Sequence, residues 1–310
     1  MKVFFAGTPQ NAAETLVALK KSGIEIVGVL TRADAPIGRK RVLTPSPVAL
    51  AAQGLNLPVI KSNSVTSEVL KQILTLGADL GVVVAYGAFL NRAALDALPK
   101  GWVNLHYSLL PQLRGAAPVQ HALLQSLDST GVSIFQLDEG MDTGPVYLEV
   151  PTQIEPGENA GRLLSRLTSI GVTALLEALP GIASGIAIAK PQENAAATFA
   201  PKISRDDAKI DWLQSATEIE SQILAMNPEP MAWTIFDSNN LRILHARAVQ
   251  GSDAQGLVPG CVFSRDDTVF VLCKDSALAL LELQPAGKNP MAAIDWFRGQ
   301  QSKGQIVLGS

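Results

Sequence analysis

The sequence predicts an α/β chain in which a doubly wound, Rossmann-like first domain is followed by a small β-barrel of the OB-like kind. Three observations carry that prediction. Strand-like and helix-like segments alternate through the first half, as βαβ units do. The segment "DLGVVVAYG" (79–87) is apolar without alternation, which suits a parallel strand covered on both faces. Beyond residue 206 the segments shorten into β-like runs broken by frequent turns, the pattern of a small barrel.

In order, "KVFFAG" (2–7) reads as the first strand and "PQNAAETLVALKKSG" (9–23) as a helix with Pro9 near its first position, ending at Gly23. The turn between them lacks the G-x-G-x-x-G arrangement, which argues against a dinucleotide site. "IEIVGVL" (24–30) and "PVIK" (58–61) are the next strands. "SVTSEVLKQILTLG" (64–77) is a helix opening on a serine cap, with Glu68 shortly after. "LPKGWV" (98–103) gives a turn and the start of a strand that reaches His106. Pro111 and Gly115 then break the backbone before the helical "APVQHALLQSL" (117–127). "VSIFQL" (132–137) and "PVYLEV" (145–150) form a hairpin pair joined by an acidic loop. Small and polar residues near 190 mark a linker, giving domains at 1–189 and 206–310 with 190–205 between them. The second domain opens with the helix "SATEIESQILAMNP" (215–228). It continues through "AWTIF", "LRILHARAV", "GCVFSR", "TVFVLCK" and "ALALLELQPAG" as strands.

The 310 residues are 47% apolar and 17% charged, a core-forming composition. No uninterrupted apolar run approaches the ~18 residues of a membrane span. The first apolar run is too short for a secretory signal, and a cytoplasmic protein is expected. Cys261 and Cys273 lie in apolar contexts and read as buried free thiols. No clustered His/Cys set suggests a metal. Residues 1–205 carry 17 Lys+Arg against 15 Asp+Glu, and residues 206–310 carry 8 against 13. Neither half is broadly basic, and any nucleic acid must be met by local patches.

The chemistry concentrates in two places. In "NLHYSLLPQLRG" (104–115), Asn104 and His106 are two residues apart on a strand and project to one face at its carboxyl end. Open α/β sheets place their ligands there. In "FQLDEGMDTGPVYLEV" (135–150), Asp142 sits in the hairpin loop, where a turn aspartate bonding its own backbone is the plainer explanation. For His121 in a helix and His245 in a strand, structural roles are preferred.

Together, "HYSLLPQLRGAAP" and "LDEGMDTGP" resemble the signatures of the folate-dependent formyltransferases: H-x-S-L-L-P-x-x-R-G after an asparagine, and D-x-G-x-D-x-G downstream. Tyr107 departs from that pattern, in which a smaller residue often follows the histidine. The resemblance implies N10-formyltetrahydrofolate as formyl-donating co-substrate, an amine as acceptor, and no metal. It matches Asn104, His106 and Asp142 to the catalytic trio. It matches Ser108, Leu109, Leu110 and Pro111 to the segment that contacts the folate. The physical logic agrees: an amide donor can stabilise the tetrahedral oxyanion and a histidine can move the protons. A carboxylate beside the ring would fix it and favour its charged form.

"TRADAPIGRKRVLTPSPVAL" (31–50) is unusually long for a strand-to-helix connection. It resembles the basic loop of the family's tRNA-acting members, which implies that Arg39, Lys40 and Arg41 meet the acceptor end of initiator methionyl-tRNA. "NPEPMAW" and "LQPAGKNPM" resemble second-domain signatures of the same members and imply a tRNA-binding barrel. The acidic balance of that domain leaves two alternatives. Either Lys209, Arg242, Arg247, Lys288 and Arg298 share one face, or the domain contributes less to binding. An amino sugar nucleotide or glycinamide ribonucleotide as acceptor is the nearer rival, and an RNA-binding module on an inactive scaffold the more distant one.

Overall fold

The computed structural model describes residues 1–38, 40–249, 258–300 and 304–309. The chain runs β1 (Lys2–Gly7), α1 (Gln10–Lys21), β2 (Glu25–Thr31), β3 (Ala35–Ile37), β4 (Val42–Thr44), α2 (Pro47–Gly54), β5 (Val59–Lys61), α3 (Ser67–Thr75), β6 (Leu80–Val84), α4 (Arg92–Leu95) and β7 (Trp102–His106). Next come α5 (Pro118–Leu124), β8 (Ser129–Gln136), β9 (Val146–Gln153) and the long α6 (Ala160–Ser184). Two compact units result. The first comprises Met1–Pro118, Ser129–Gln153 and Leu164–Ala200, and the second Val119–Asp128, Ile154–Leu163 and Pro201–Ser310.

The first unit holds a seven-stranded sheet in the order β5-β2-β1-β6-β7-β8-β9. The strands from β5 to β7 pair parallel, and β8 and β9 continue antiparallel. Val3, Phe4, Phe5 and Ala6 of β1 and all five residues of β6 are buried, as unalternating apolar strands require. From β1 the chain builds outward to β2 and β5, then returns to add β6 and β7 on the other side. In open α/β sheets such a reversal is where ligands bind, here at the carboxyl ends of β1 and β6, with β7 next in line.

Local chemistry refines several expectations. Pro9 is the N-cap of α1, one position before the expected place. The cap of α3 is Thr66 rather than a serine, its hydroxyl accepting from the Val69 amide at 3.3 Å. The long 31–50 connection contains the hairpin β3–β4. Its return is fixed where Ser46 caps α2 and lies 2.6 Å from the Thr31 hydroxyl. Helix α6 has no counterpart among the expected elements. It is long and apolar enough by composition to cross a membrane, but Leu163, Leu167, Leu175 and Leu179 are fully buried within the protein. Gly171 admits this packing, because a Cβ there would stand 2.6 Å from Leu105 of β7.

In the second unit, Ser215 and Glu218 close a capping box around α7 (Ala216–Met226). The strands are β10 (Trp233–Phe236), β11 (Asn239–Val249), β12 (Cys261–Arg265), β13 (Thr268–Leu272), β14 (Ala277–Pro285) and β15 (Met291–Ala292), followed by α8 (Ala293–Arg298) and β16 (Ile306–Val307). They pair antiparallel in the order β10-β11-β14-β13-β12-β16, with β15 against β14, giving a near-barrel. Trp212, Ile219, Ile223, Leu241, Ile243, Val271, Leu280 and Trp296 fill it. Cys261 and Cys273 are free and buried. Burial pushes the Cys273 thiol up to about 12, which makes it inert as a nucleophile.

Candidate functional site

Strand β7 delivers Asn104 and His106 side by side, opposite Phe135 and Ser133 of β8. His106 is buried, with the Phe135 ring edge-on to it at 6.3 Å. Its Nε2 lies 3.0 Å from the Leu113 carbonyl oxygen. A carbonyl can only accept, which places a proton on Nε2 and leaves the lone pair of the neutral ring on Nδ1.

Nδ1 faces Asp142 Oδ2 at 3.7 Å. That distance is too long for a hydrogen bond and short enough for the carboxylate's field to act. Burial pushes the imidazole below its ordinary range, and the Asp142 charge and Leu113 carbonyl offset only part of this. The carboxylate favours the charged ring, as expected, but desolvation outweighs it and the ring rests neutral.

Asp142 is held from two sides. Its backbone takes a left-handed φ of 54°, uncommon for a residue with a side chain. Its Oδ2 accepts the Gly115 amide at 2.8 Å. Gly115 has a φ of 127°, and a Cβ there would meet the Ala200 carbonyl at 2.6 Å, which makes glycine necessary at that turn. The side-chain oxygen of Asn104 is buried without a hydrogen-bond partner. A catalytic role, or a water or ligand that completes the bonding, accounts for such an atom.

The segment expected to contact folate is only partly open. Ser108 is buried, its hydroxyl donating to the Gln112 carbonyl at 2.5 Å. Leu110 is buried in a cluster with Phe135 and Val146. Leu109 and Pro111 are partly exposed. Ser133 binds this turn to β8 by donating to the Ser108 carbonyl and accepting the Leu110 amide. Tyr107 fits without strain on the packing: it is buried, and its hydroxyl accepts from Asn11 of α1 at 2.8 Å.

Of the insertion's basic residues, Arg39 lies outside the described residues. Lys40 and Arg41 are exposed at the tip of the β3–β4 hairpin. Arg32 is engaged, donating to Asn63 and to the Gly87 carbonyl. In the second unit, Lys209, Trp233, Arg242 and Gln284 are successive cross-strand neighbours, and their side chains share one sheet face. Arg205 and Lys209 lie over the Trp233 ring at 5.4 and 5.8 Å. Arg298 is instead paired with Asp267 and Asp295. His121 meets the Pro201 carbonyl at 3.0 Å. His245 is exposed on β11. Among the described residues, no group of three or more His, Cys, Asp or Glu is placed to hold a metal ion.

Sequence reasoning missed the Leu113 carbonyl, the Gly115 amide and the hydrogen bonds of Arg114 and Gln192. Only the R-G of the first signature hinted at any of them.

The formyl transferase family matches residues 1–179, and the formyl transferase C-terminal domain matches residues 202–301. A curated protein of Clavibacter sepedonicus named "Methionyl-tRNA formyltransferase" is 44% identical over 307 residues, covering 99% of this chain and 100% of that protein. Among solved structures, the methionyl-tRNA formyltransferase of Clostridium thermocellum superposes with a TM-score of 0.57 at 14% identity, over 81% of this chain and 95% of that one. HypX from Aquifex aeolicus, solved in complex with tetrahydrofolic acid, gives a TM-score of 0.64 at 15% identity, over 98% of this chain and 47% of that one. At these identities the two structures speak for the fold.

Proposed function

This chain belongs to the formyl transferase family, and on that premise we propose that it moves the formyl group of N10-formyltetrahydrofolate onto the α-amino group of methionine on initiator methionyl-tRNA. Tetrahydrofolate and formylmethionyl-tRNA are the products, the latter serving translation initiation in the cytoplasm.

The observation that carries this reading is the unpartnered side-chain oxygen of Asn104 beside a neutral, buried His106. As the amine nitrogen bonds to the formyl carbon, negative charge develops on the formyl oxygen. The Asn104 NH2 group supplies a donor for that charge, an effect worth ~10²–10³ in rate. The Asn104 carbonyl oxygen takes an N–H of the incoming amine. Nδ1 of His106 accepts the proton the amine sheds, and Asp142 stabilises the resulting imidazolium. His106 returns that proton to N10 as the bond between carbon and N10 breaks.

Within the segment assigned to folate, Leu109 and Pro111 offer partly exposed side chains, while Ser108 and Leu110, tied to Ser133, hold the shape of the turn. Lys40 and Arg41, with Arg39, meet tRNA phosphates. Arg205, Lys209 and Arg242 around Trp233 give the second unit a basic face despite its acidic balance.

The test offers N10-formyltetrahydrofolate with initiator methionyl-tRNA, an amino sugar nucleotide, glycinamide ribonucleotide, or no acceptor. Formyl transfer to the tRNA alone is expected. Faster transfer to a small amine would give the site to the rival acceptor.

A further inference from the structure

We propose that Gln192 is a positioning residue that sets the carboxylate of Asp142 against His106, and that Arg114 holds Gln192 in place for that task. The proposal rests on the reading of His106 and Asp142 as the proton-handling pair.

Gln192 lies in the "KPQEN" stretch after α6, within the segment expected to be a linker. Its side-chain NH2 donates twice, to the Asp142 carbonyl at 2.8 Å and to the Gly144 carbonyl at 2.7 Å. Its side-chain oxygen accepts twice from Arg114, at 3.0 Å from Nε and 2.7 Å from Nη2. Both donors and both acceptor sites of the amide are thus used. Arg114 is buried, and Nη2 also donates to Asn194 at 2.9 Å.

These bonds fall where the Asp142 loop needs support. A residue at φ 54° persists only when its surroundings over-determine it. Gln192 binds the carbonyls of Asp142 and of the residue two places on, which fixes the peptides around that left-handed backbone. The Gly115 amide then fixes the carboxylate itself. Arg114 connects the two supports. Its guanidinium anchors Gln192, while its neighbours Leu113 and Gly115 supply the carbonyl on His106 and the amide on Asp142. His106 and Asp142 are therefore registered through one short segment and one glutamine. Around the ring stand the Asp142 carboxylate, the Leu113 carbonyl and the Phe135 ring.

The experiment compares Gln192→Leu, Gln192→Glu and Asp142→Asn with wild type. Kinetics of formyl transfer are read together with the titration of His106, followed by NMR on protein labelled at the histidine Cε1 carbon. The chain has three histidines, and the resonance missing from His106→Asn identifies the one needed. Gln192→Glu keeps an acceptor for Arg114 and removes the donors to the Asp142 loop, so it separates the two halves of the interaction. Both Gln192 variants should lower kcat by up to ~10²-fold, the effect of displacing a catalytic group by about 1 Å, with KM for the folate unchanged. In Gln192→Leu the His106 midpoint should move to lower pH, as in Asp142→Asn; in Gln192→Glu the added carboxylate opposes that movement, and kcat is the readout. A Gln192→Leu protein with wild-type kcat and an unmoved midpoint overturns the proposal. So does a lowered kcat with an unmoved midpoint, since the loss would then not pass through Asp142. An unmoved midpoint in Asp142→Asn would instead remove the underlying reading of the pair.

Discussion

Asp142 Oδ2 stands 3.7 Å from His106 Nδ1 and directs its hydrogen bond to the Gly115 amide. The aspartate acts on the histidine as a charge at short range, with no hydrogen bond holding the ring. The ring is oriented from its other side by the Leu113 carbonyl. This arrangement suits a histidine that rests neutral and is charged only while it carries a transferred proton.

Asn104→Leu should separate function from stability. The buried, unpartnered oxygen of Asn104 costs about 1–3 kcal/mol in desolvation, and an apolar side chain of the same branching removes that penalty. We expect Tm to rise while kcat falls ~10²–10³-fold through loss of the oxyanion donor. A lower Tm in thermal unfolding, or a near-normal kcat, would contradict this.

His106 should make stability fall as the solution is acidified. Its folded pKa lies below the ordinary 6.5, so below that pH the unfolded chain binds a proton that the folded chain resists. Stability is then full above the unfolded value and declines as pH falls from there toward the folded value. Urea unfolding at about pH 7.5 and about pH 5.5, on either side of the unfolded value, measures it. His106→Asn should show a smaller decline. Equal declines in the two proteins would place the acid sensitivity elsewhere.

Replacing Arg39, Lys40 and Arg41 with alanine should weaken tRNA use and leave folate binding intact. Lys40 and Arg41 are exposed, so little folding energy is at stake. Each phosphate interaction removed in this way should reduce the log–log salt slope of binding by ~0.7–0.9. An unchanged slope with an unchanged KM for tRNA would return the hairpin to an ordinary surface loop.

Lys209→Ala with Arg242→Ala should lower the same slope, and Arg298→Ala should not, because Arg298 is already paired with acidic neighbours. A larger effect from Arg298 would move the tRNA-facing side of the second unit.

The parts of this molecule written in short-range pattern were legible from the sequence. Asn104 and His106 share a face because a strand repeats every two residues, and β8 and β9 pair because their apolar runs flank a glycine-containing acidic loop. Helix α6 went unread although Leu163, Leu167, Leu175 and Leu179 recur at helical spacing; Gly171 alone interrupts that buried face, and its packing on Leu105 compensates in the folded chain. The pull of Asp142 on His106 was legible in the sequence, and the net protonation of the ring was not. A neighbouring carboxylate is visible in a motif, whereas burial is set by Phe135 and Leu113 only after folding. Gln192 carries no motif, and its role arises when the chain after α6 returns to the Asp142 loop.

The most direct test of the account is single-turnover formyl transfer to initiator methionyl-tRNA by wild type and Asp142→Asn across pH. Removing the carboxylate takes away the charge that partly offsets burial, so the His106 pKa falls further and the ring stays a base to lower pH. The rate should be ~10²–10⁴-fold lower in Asp142→Asn, with the acid limb displaced to lower pH and the affinity for tRNA unchanged. A near-normal rate with an unmoved acid limb would contradict this and leave Asp142 a turn residue.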